Sequence, residues 1–272
     1  MTIEEARQNN IFLAYQTTWL KDNSPLKIWE KSRRIGASWA EAFVCTRLAA
    51  LAKSAGGMDC FYMAYEKEMT QQFISDVAFW AKVLQVACND IEEIVIKDED
   101  KDILMYKIRF DSGFEVWALP SKAKLLRSKQ GHFVFDEAAF ADDFHEILKA
   151  AHAFRIWGGS ISTHDGEYNP FNQLIQDIKS GKKKWSLHHT TIEDALDDGL
   201  YKRICKVQNK EWSEEAQKEW LTGLIEEAGE FADEEYYCIP SKAGERYFSS
   251  SLISSVAVKA CVQIFCRRYI HL

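Results

Sequence analysis

Trp29-Glu30-Lys31-Ser32-Arg33-Arg34-Ile35-Gly36-Ala37-Ser38, preceded by apolar residues from Leu26 and followed by an Ala- and Leu-rich run to Ser54, decides the fold. The segment reads as strand, loop, helix. In the phosphate-loop pattern G-x-x-x-x-G-K-[ST], backbone N–H groups cradle phosphates, the lysine neutralises them and the hydroxyl ligates Mg²⁺. Gly36 and Ser38 fit that pattern, while Lys31 stands at its first glycine and Ala37 at its lysine. A cation is therefore still present, at the opposite end of the loop. Alone, the segment also reads as a basic turn with Ser38 capping the next helix, so its meaning depends on a partner motif.

His132-Phe133-Val134-Phe135-Asp136-Glu137 supplies that partner. An acidic pair ending a buried strand puts Asp136 near a Mg²⁺ shell and Glu137 where it orients an attacking water. The pair also suits a helix cap before Ala138. Its order and spacing after the loop favour nucleotide hydrolysis.

Around these two motifs, strands and helices alternate. Leu26–Trp29, Asp59–Ala64, His132–Phe135, Arg155–Ser162 and Trp185–Thr190 read as strands. Ile3–Leu20, Ala37–Ser54, Glu66–Ala87, Ala138–Ala151 and Pro170–Ser180 read as helices. Ile94–Leu119 alternates about Asp111-Ser112-Gly113 and reads as a hairpin inserted between parallel strands. The predicted class is α/β, with a mainly parallel sheet covered by helices on both faces. From about Asp194 the chain turns helical and acidic, giving a core over 1–193, a small helical subdomain over 194–248 and an atypical tail over 249–272.

Composition narrows the functional classes. A net charge of −7 provides no general field for nucleic acid, so any DNA contact is local. Lys122, Lys124, Arg127 and Lys129, or Lys182 to Lys184, are candidate patches and equally read as solvated loops. Seven cysteines without a C-x-x-C pair argue against a zinc ribbon or disulfide framework. No apolar run is long enough to span a bilayer, and the N-terminus lacks signal-peptide character, so no membrane role is expected. His188-His189 lacks a further ligand cluster and reads as a strand-end pair.

Together the blocks KSRRIGAS and HFVFDEAAF, with Tyr15-Gln16 and Trp19 before them and Ser160-Ile161-Ser162-Thr163-His164 after, resemble the ATPase half of bacteriophage large terminase subunits, those of Mu-like phages and prophages most of all. The resemblance runs over residues 10–250. It implies a phosphate-loop (ASCE-type) ATPase core using ATP and Mg²⁺. Tyr15 and Gln16 then correspond to an adenine-binding Q motif, and Lys31 to the relocated lysine. Arg33 and Arg34 are rival phosphate contacts, and the Ile35, Gly36 and Ala37 amides complete the cradle. Ser38 and Asp136 would organise the metal, Glu137 the water, and Ser162 and Thr163 would form the coupling motif that senses the γ-phosphate. Arg127 lies where the family carries an arginine finger, although Ser128-Lys129-Gln130 interrupts the usual Arg-Gly; it also reads as a plain surface arginine.

The implied partners are double-stranded DNA, a phage portal protein and a small terminase subunit, with the chain in a homo-oligomeric ring in the cytoplasm of a bacterial host. The family's C-terminal nuclease domain is not expected, since only about twenty residues follow Ile253 and none from Val256 to Leu272 is acidic. Two other readings stay open: a non-catalytic prophage remnant or assembly protein, and a helicase-like ATPase.

Overall fold

The computed structural model describes residues 11–98, 101–126, 129–141, 144–153 and 157–242. Eight strands form one sheet: β1 (Leu26–Lys31), β2 (Cys60–Ala64), β3 (Glu92–Asp98), β4 (Lys101–Arg109), β5 (Glu115–Pro120), β6 (His132–Asp136), β7 (Trp157–Ser162) and β8 (Ser186–Thr190). Their order is β3-β4-β5-β2-β6-β7-β1-β8. Every neighbouring pair from β5 to β8 is parallel, and β3 and β4 are antiparallel additions at one edge. The apolar runs of β2 and β6 are buried at every position, as central parallel strands covered on both faces must be.

Nine helices are described: α1 (Ala14–Lys21), α2 (Ala37–Ala50), α3 (Lys67–Leu84), α4 (Phe144–Ala153), α5 (Pro170–Lys179), α6 (Ile192–Asp197), α7 (Leu200–Val207), α8 (Glu214–Ala228) and α9 (Ala232–Tyr236). One face of the sheet packs against α1, α2, α3, α6, α7 and α9, through Trp19, Trp29, Phe73, Trp80, Leu196 and Tyr236 among others. The opposite face packs Phe61, Phe133, Phe144, Ile147, Phe171 and Ile175 against α4 and α5. The mainly parallel sheet with helices on both faces is thus as the alternation predicts.

Three elements differ from the sequence reading. The hairpin about Gly113 joins β4 to β5, and β5 also pairs in parallel with β2, so only β3 and β4 are additions to the parallel sheet. The helix expected from Ala138 is split into a 3₁₀ turn over Ala138–Phe140 and α4 from Phe144, because Glu137 adopts a left-handed conformation (φ 48°). The helix expected to reach Ser54 ends at Ala50, with Leu51 extended. Residues 1–10, Arg127, residues 154–156 and the tail 249–272 lie outside the described residues.

Candidate nucleotide site

The C-terminal ends of β1, β7 and β6 lie side by side, the place where open parallel sheets form ligand clefts. Since β7 runs between the other two, Ser162 and Thr163 fall between the loop after β1 and the acidic pair after β6. A cleft of about 550 Å³ opens there, lined among others by Lys31, Gly36, Ser38, Glu137 and Thr163. Arg33, Arg34, Ile35 and Ala37 line it too. Asp136 and Ser162 are buried one layer behind.

The loop takes its shape from two left-handed residues, Arg34 (φ 58°) and Gly36 (φ 75°). The left-handed conformation favours glycine at Gly36, where a Cβ would also come within 2.8 Å of Gln16 Nε2 and displace that amide. Gly36 caps α2, whose first-turn N–H groups have no intrahelical acceptor and carry partial positive charge. The loop's entrance is pinned by Ser32 N donating to Thr190 O (2.7 Å) and Arg33 N donating to Glu235 O (2.7 Å).

Across the cleft, Lys31 Nζ meets Glu137 Oε1 at 3.1 Å. Burial opposes the lysine's charge, yet Glu137 and Asp136 outweigh it and hold the ammonium above its ordinary value. Ser38 Oγ donates to Asp136 Oδ2, and Tyr62 OH donates to the same oxygen at 2.8 Å. Burial and the neighbouring Glu137 charge push the Asp136 carboxyl up. Ser162 Oγ donates to Glu137 Oε2 at 3.4 Å and accepts from Ala139 N at 3.1 Å. Two adjacent carboxylates facing one lysine leave a surplus of negative charge on hard oxygen ligands, and that donor set suits Mg²⁺ at Ser38 and Asp136.

Tyr15 and Gln16 lie beside the loop, but their polar atoms turn to its backbone. Tyr15 OH donates to Ile35 O (2.7 Å), and Gln16 Nε2 donates to Ile35 O and Gly36 O (both 3.1 Å). Gln16 Oε1 accepts from Leu13 N at 3.0 Å. These side chains therefore shape the loop, and they border a second, apolar cavity of about 220 Å³ whose walls also include Trp39 and Leu200. Trp19 is fully buried and stacked on Trp29, with ring centroids 4.9 Å apart.

Sequence reasoning missed Tyr62, Asp76 and Glu235. Tyr62 was accessible in principle, since it sits near the end of the apolar strand Cys60–Ala64; nothing near Glu235 in the sequence points to the loop. His188 and His189 are spent on carboxylates, Asp22 at 2.8 Å and Glu30 at 3.0 Å. Glu41, Cys45 and His132 meet beneath the site, with ligand atoms within 4.8 Å of one another. Glu41 accepts from Trp19 Nε1 and contacts His132 Nε2 at 3.2 Å. Burial raises its carboxyl, but His132 and Lys27 outweigh that and hold it low. With both oxygens engaged and a cation alongside, this group is a charge-compensated buried network.

A strand, a phosphate loop opening a helix, and an acidic pair two strands away, all at one end of a parallel sheet, define the phosphate-loop ATPase fold. The chain belongs to the terminase large subunit family, with residues 28–253 matching the model described as terminase large subunit, T4likevirus-type, N-terminal. It is 46% identical over 256 residues to the Mu-like prophage FluMu protein gp28 of Haemophilus influenzae, covering 92% of this chain and 50% of that protein. To the probable terminase, large subunit gp28 of Escherichia phage Mu it is 46% identical over 269 residues, covering 95% of this chain and 49% of that one. The chain thus spans about half the length of these relatives. Among solved structures, the large terminase of a thermophilic bacteriophage, in complex with ADP, superposes with a TM-score of 0.56 at 16% identity, over 84% of this chain and 53% of that one. At that identity the likeness is one of fold.

Proposed function

We propose that this chain is an Mg²⁺-dependent ATPase that drives double-stranded DNA into a phage prohead. The observation that carries the reading is the convergence of Lys31, Ser38, Asp136 and Glu137 from three separate elements on one cleft at the start of α2. A relative of the same fold is described as bound to ADP.

In this reading Lys31 and the Ile35, Gly36 and Ala37 amides hold the phosphates, while Ser38 and Asp136 hold Mg²⁺. When bound, the cation neutralises charge on the terminal phosphate oxygens. Lys31 is drawn from Glu137 towards the phosphates, which frees the carboxylate to accept a proton from the attacking water. Ser162 already touches Glu137, so the carboxylate's position is reported to the end of β7 and to Thr163 beside it. A finger supplied by a neighbouring subunit, with Arg127 the candidate, would complete the charge stabilisation.

DNA contact belongs to the phosphate backbone, because packaging must accept any sequence, and with a net charge of −7 it must come from local patches. Portal protein and small terminase subunit are the proposed partners, with several copies forming a ring in the host cytoplasm. The core over 1–193 would do the chemistry, and the helices of 194–248 would move with it.

The test is equilibrium binding of a fluorescent ATP analogue with Mg²⁺. Lys31→Ala should bind about 10- to 100-fold more weakly than the wild-type chain, the worth of a charge-assisted contact. Equal binding by the two would sink the assignment of the relocated lysine. Hydrolysis stimulated by duplex DNA and suppressed by rising salt is the second expected result.

A further inference from the structure

β2 is an apolar strand that carries one hydroxyl. Cys60, Phe61, Met63 and Ala64 suit the core they occupy, and Tyr62, only 1% exposed, brings a phenol into it. A hydroxyl buried so deeply costs stability unless a partner takes its hydrogen. Register supplies the partner: Tyr62 pairs with Val134 of β6, and Asp136, two residues further on, lies on the same face of the sheet. Tyr62 OH donates to Asp136 Oδ2 at 2.8 Å. Its ring is stacked on Phe73 of α3, with centroids 3.7 Å and planes 8° apart. The phenol is therefore clamped between two elements, and the carboxylate must come to it.

Asp136 is gripped on both oxygens. Oδ1 accepts from Glu137 N at 3.0 Å, and Oδ2 accepts from Ser38 Oγ as well as from Tyr62. These contacts fare differently once a cation is held. Ser38 must turn an oxygen lone pair to the cation, which draws its hydroxyl hydrogen away from Asp136, whereas Tyr62 and Glu137 N keep their bonds. We infer that Tyr62 is a positioning residue for the cation site: its hydroxyl fixes the Asp136 carboxylate facing Ser38, so that the ligand pair is set before Mg²⁺ arrives. This rests on the nucleotide reading of the cleft and adds to it a residue that does not line the cleft. Without the phenol, Glu137 N alone would orient the carboxylate after Ser38 turns away.

The experiment titrates Mg²⁺ into the chain with the fluorescent ATP analogue, from a chelated start, for wild type and Tyr62→Phe. Phenylalanine keeps the ring and its stack on Phe73. Half-saturating Mg²⁺ should rise about tenfold, the usual effect of removing the hydrogen-bond partner of a ligating carboxylate. Analogue binding with Mg²⁺ chelated should match wild type, because Lys31 and the loop amides are untouched. Hydrolysis should recover at saturating Mg²⁺, which puts the defect in the metal requirement and not in the maximal rate. Phe73→Leu leaves the hydroxyl but removes the stacked ring, and should raise the requirement by a smaller factor; with unfolding midpoints as the check, it decides the question if Tyr62→Phe does not fold. An unchanged or lowered Mg²⁺ requirement overturns the positioning role. So does a loss of binding that is equal with and without Mg²⁺, the mark of a purely structural contact. Wild-type binding indifferent to Mg²⁺ overturns the cation site at Ser38 and Asp136, and failure of the wild type to bind at all overturns the nucleotide site itself.

Discussion

Only 4% of Lys31 is exposed, and a lysine so deeply buried keeps its charge only beside a carboxylate. Glu137 provides it, and the same Glu137 is the proposed base, so in that proposal a single ion pair would tie phosphate binding to water activation. Replacing Glu137 by glutamine keeps an amide oxygen for Lys31 Nζ and turns an amide N–H towards Ser162 Oγ, but removes the ability to take a proton. Steady-state phosphate release should fall about 100-fold or more while equilibrium binding of the ATP analogue stays within a few-fold. Retained turnover would move the base role elsewhere. A second cleft carboxylate, Asp76 on α3, accepts from Gln72 Nε2 at 2.9 Å, and burial pushes it up to about 6 from 3.8. Its folded value is the higher, so the folded state holds the proton more tightly. The penalty for ionising it is absent below the unfolded value, grows as pH rises towards 6, and is constant above. Asp76→Asn should therefore stabilise the fold by about 1–3 kcal/mol at pH 8 and by much less near pH 4, read from urea unfolding midpoints. At this scale Lys31, Gly36, Ser38, Asp136 and Glu137 were legible because each sits within a local motif. Glu235 was not, because it reaches Arg33 only through tertiary packing.

Elements carry the site by the way they abut. α1 lies against the end of β1 and β7 through Trp19, which is fully buried and stacked on Trp29. Gly159 in β7 makes room for it: a Cβ there would come within 2.8 Å of the Trp19 ring. The indole must then tilt, and α1 with it, which disturbs the Tyr15 and Gln16 contacts to the loop carbonyls. Gly159→Ala is expected to cost about 1–3 kcal/mol of stability, the usual range for overpacking a close-fitted core. It should also weaken nucleotide-analogue binding more than a neutral surface change does. A lowered denaturant midpoint without any binding effect would separate α1 packing from loop geometry. The sequence disclosed most elements, since apolar runs and 3.6-residue periodicity are local properties. It did not disclose the break after Glu137, where the left-handed residue ends β6 and turns the chain into a 3₁₀ turn. Nor did it show that β5 joins the parallel set, because hairpin alternation looks the same whichever strand lies on its far side.

For the whole molecule, the sheet order β5-β2-β6-β7-β1-β8 is what assembles the cleft, and no local signal encodes it. Alternating strands and helices imply parallel strands, but which strand inserts between β1 and β6 depends on how the crossovers pack. Insertion of β7 puts Ser162 within reach of Glu137 and makes the site a junction of β1, β6, β7 and α2. A ligand held at that junction bridges elements that must separate on unfolding, so binding should raise the stability of the chain as a whole. With Mg²⁺ and a slowly hydrolysed ATP analogue at about 100 times its dissociation constant, the gain is about 2.7 kcal/mol. For a domain of this size that is an increase of roughly 5–10 °C in the unfolding midpoint. The increase should shrink when Mg²⁺ is chelated, because Ser38 and Asp136 then lose the cation through which they act on the phosphates. The gain should fall to about 0.4–1.4 kcal/mol in Lys31→Ala at the same analogue concentration, which is then only about 1–10 times the weakened dissociation constant. An analogue that leaves the wild-type midpoint unmoved at every concentration would mean that the cleft does not bind nucleotide. A shift that persists unchanged in Lys31→Ala would place the ligand elsewhere on the molecule.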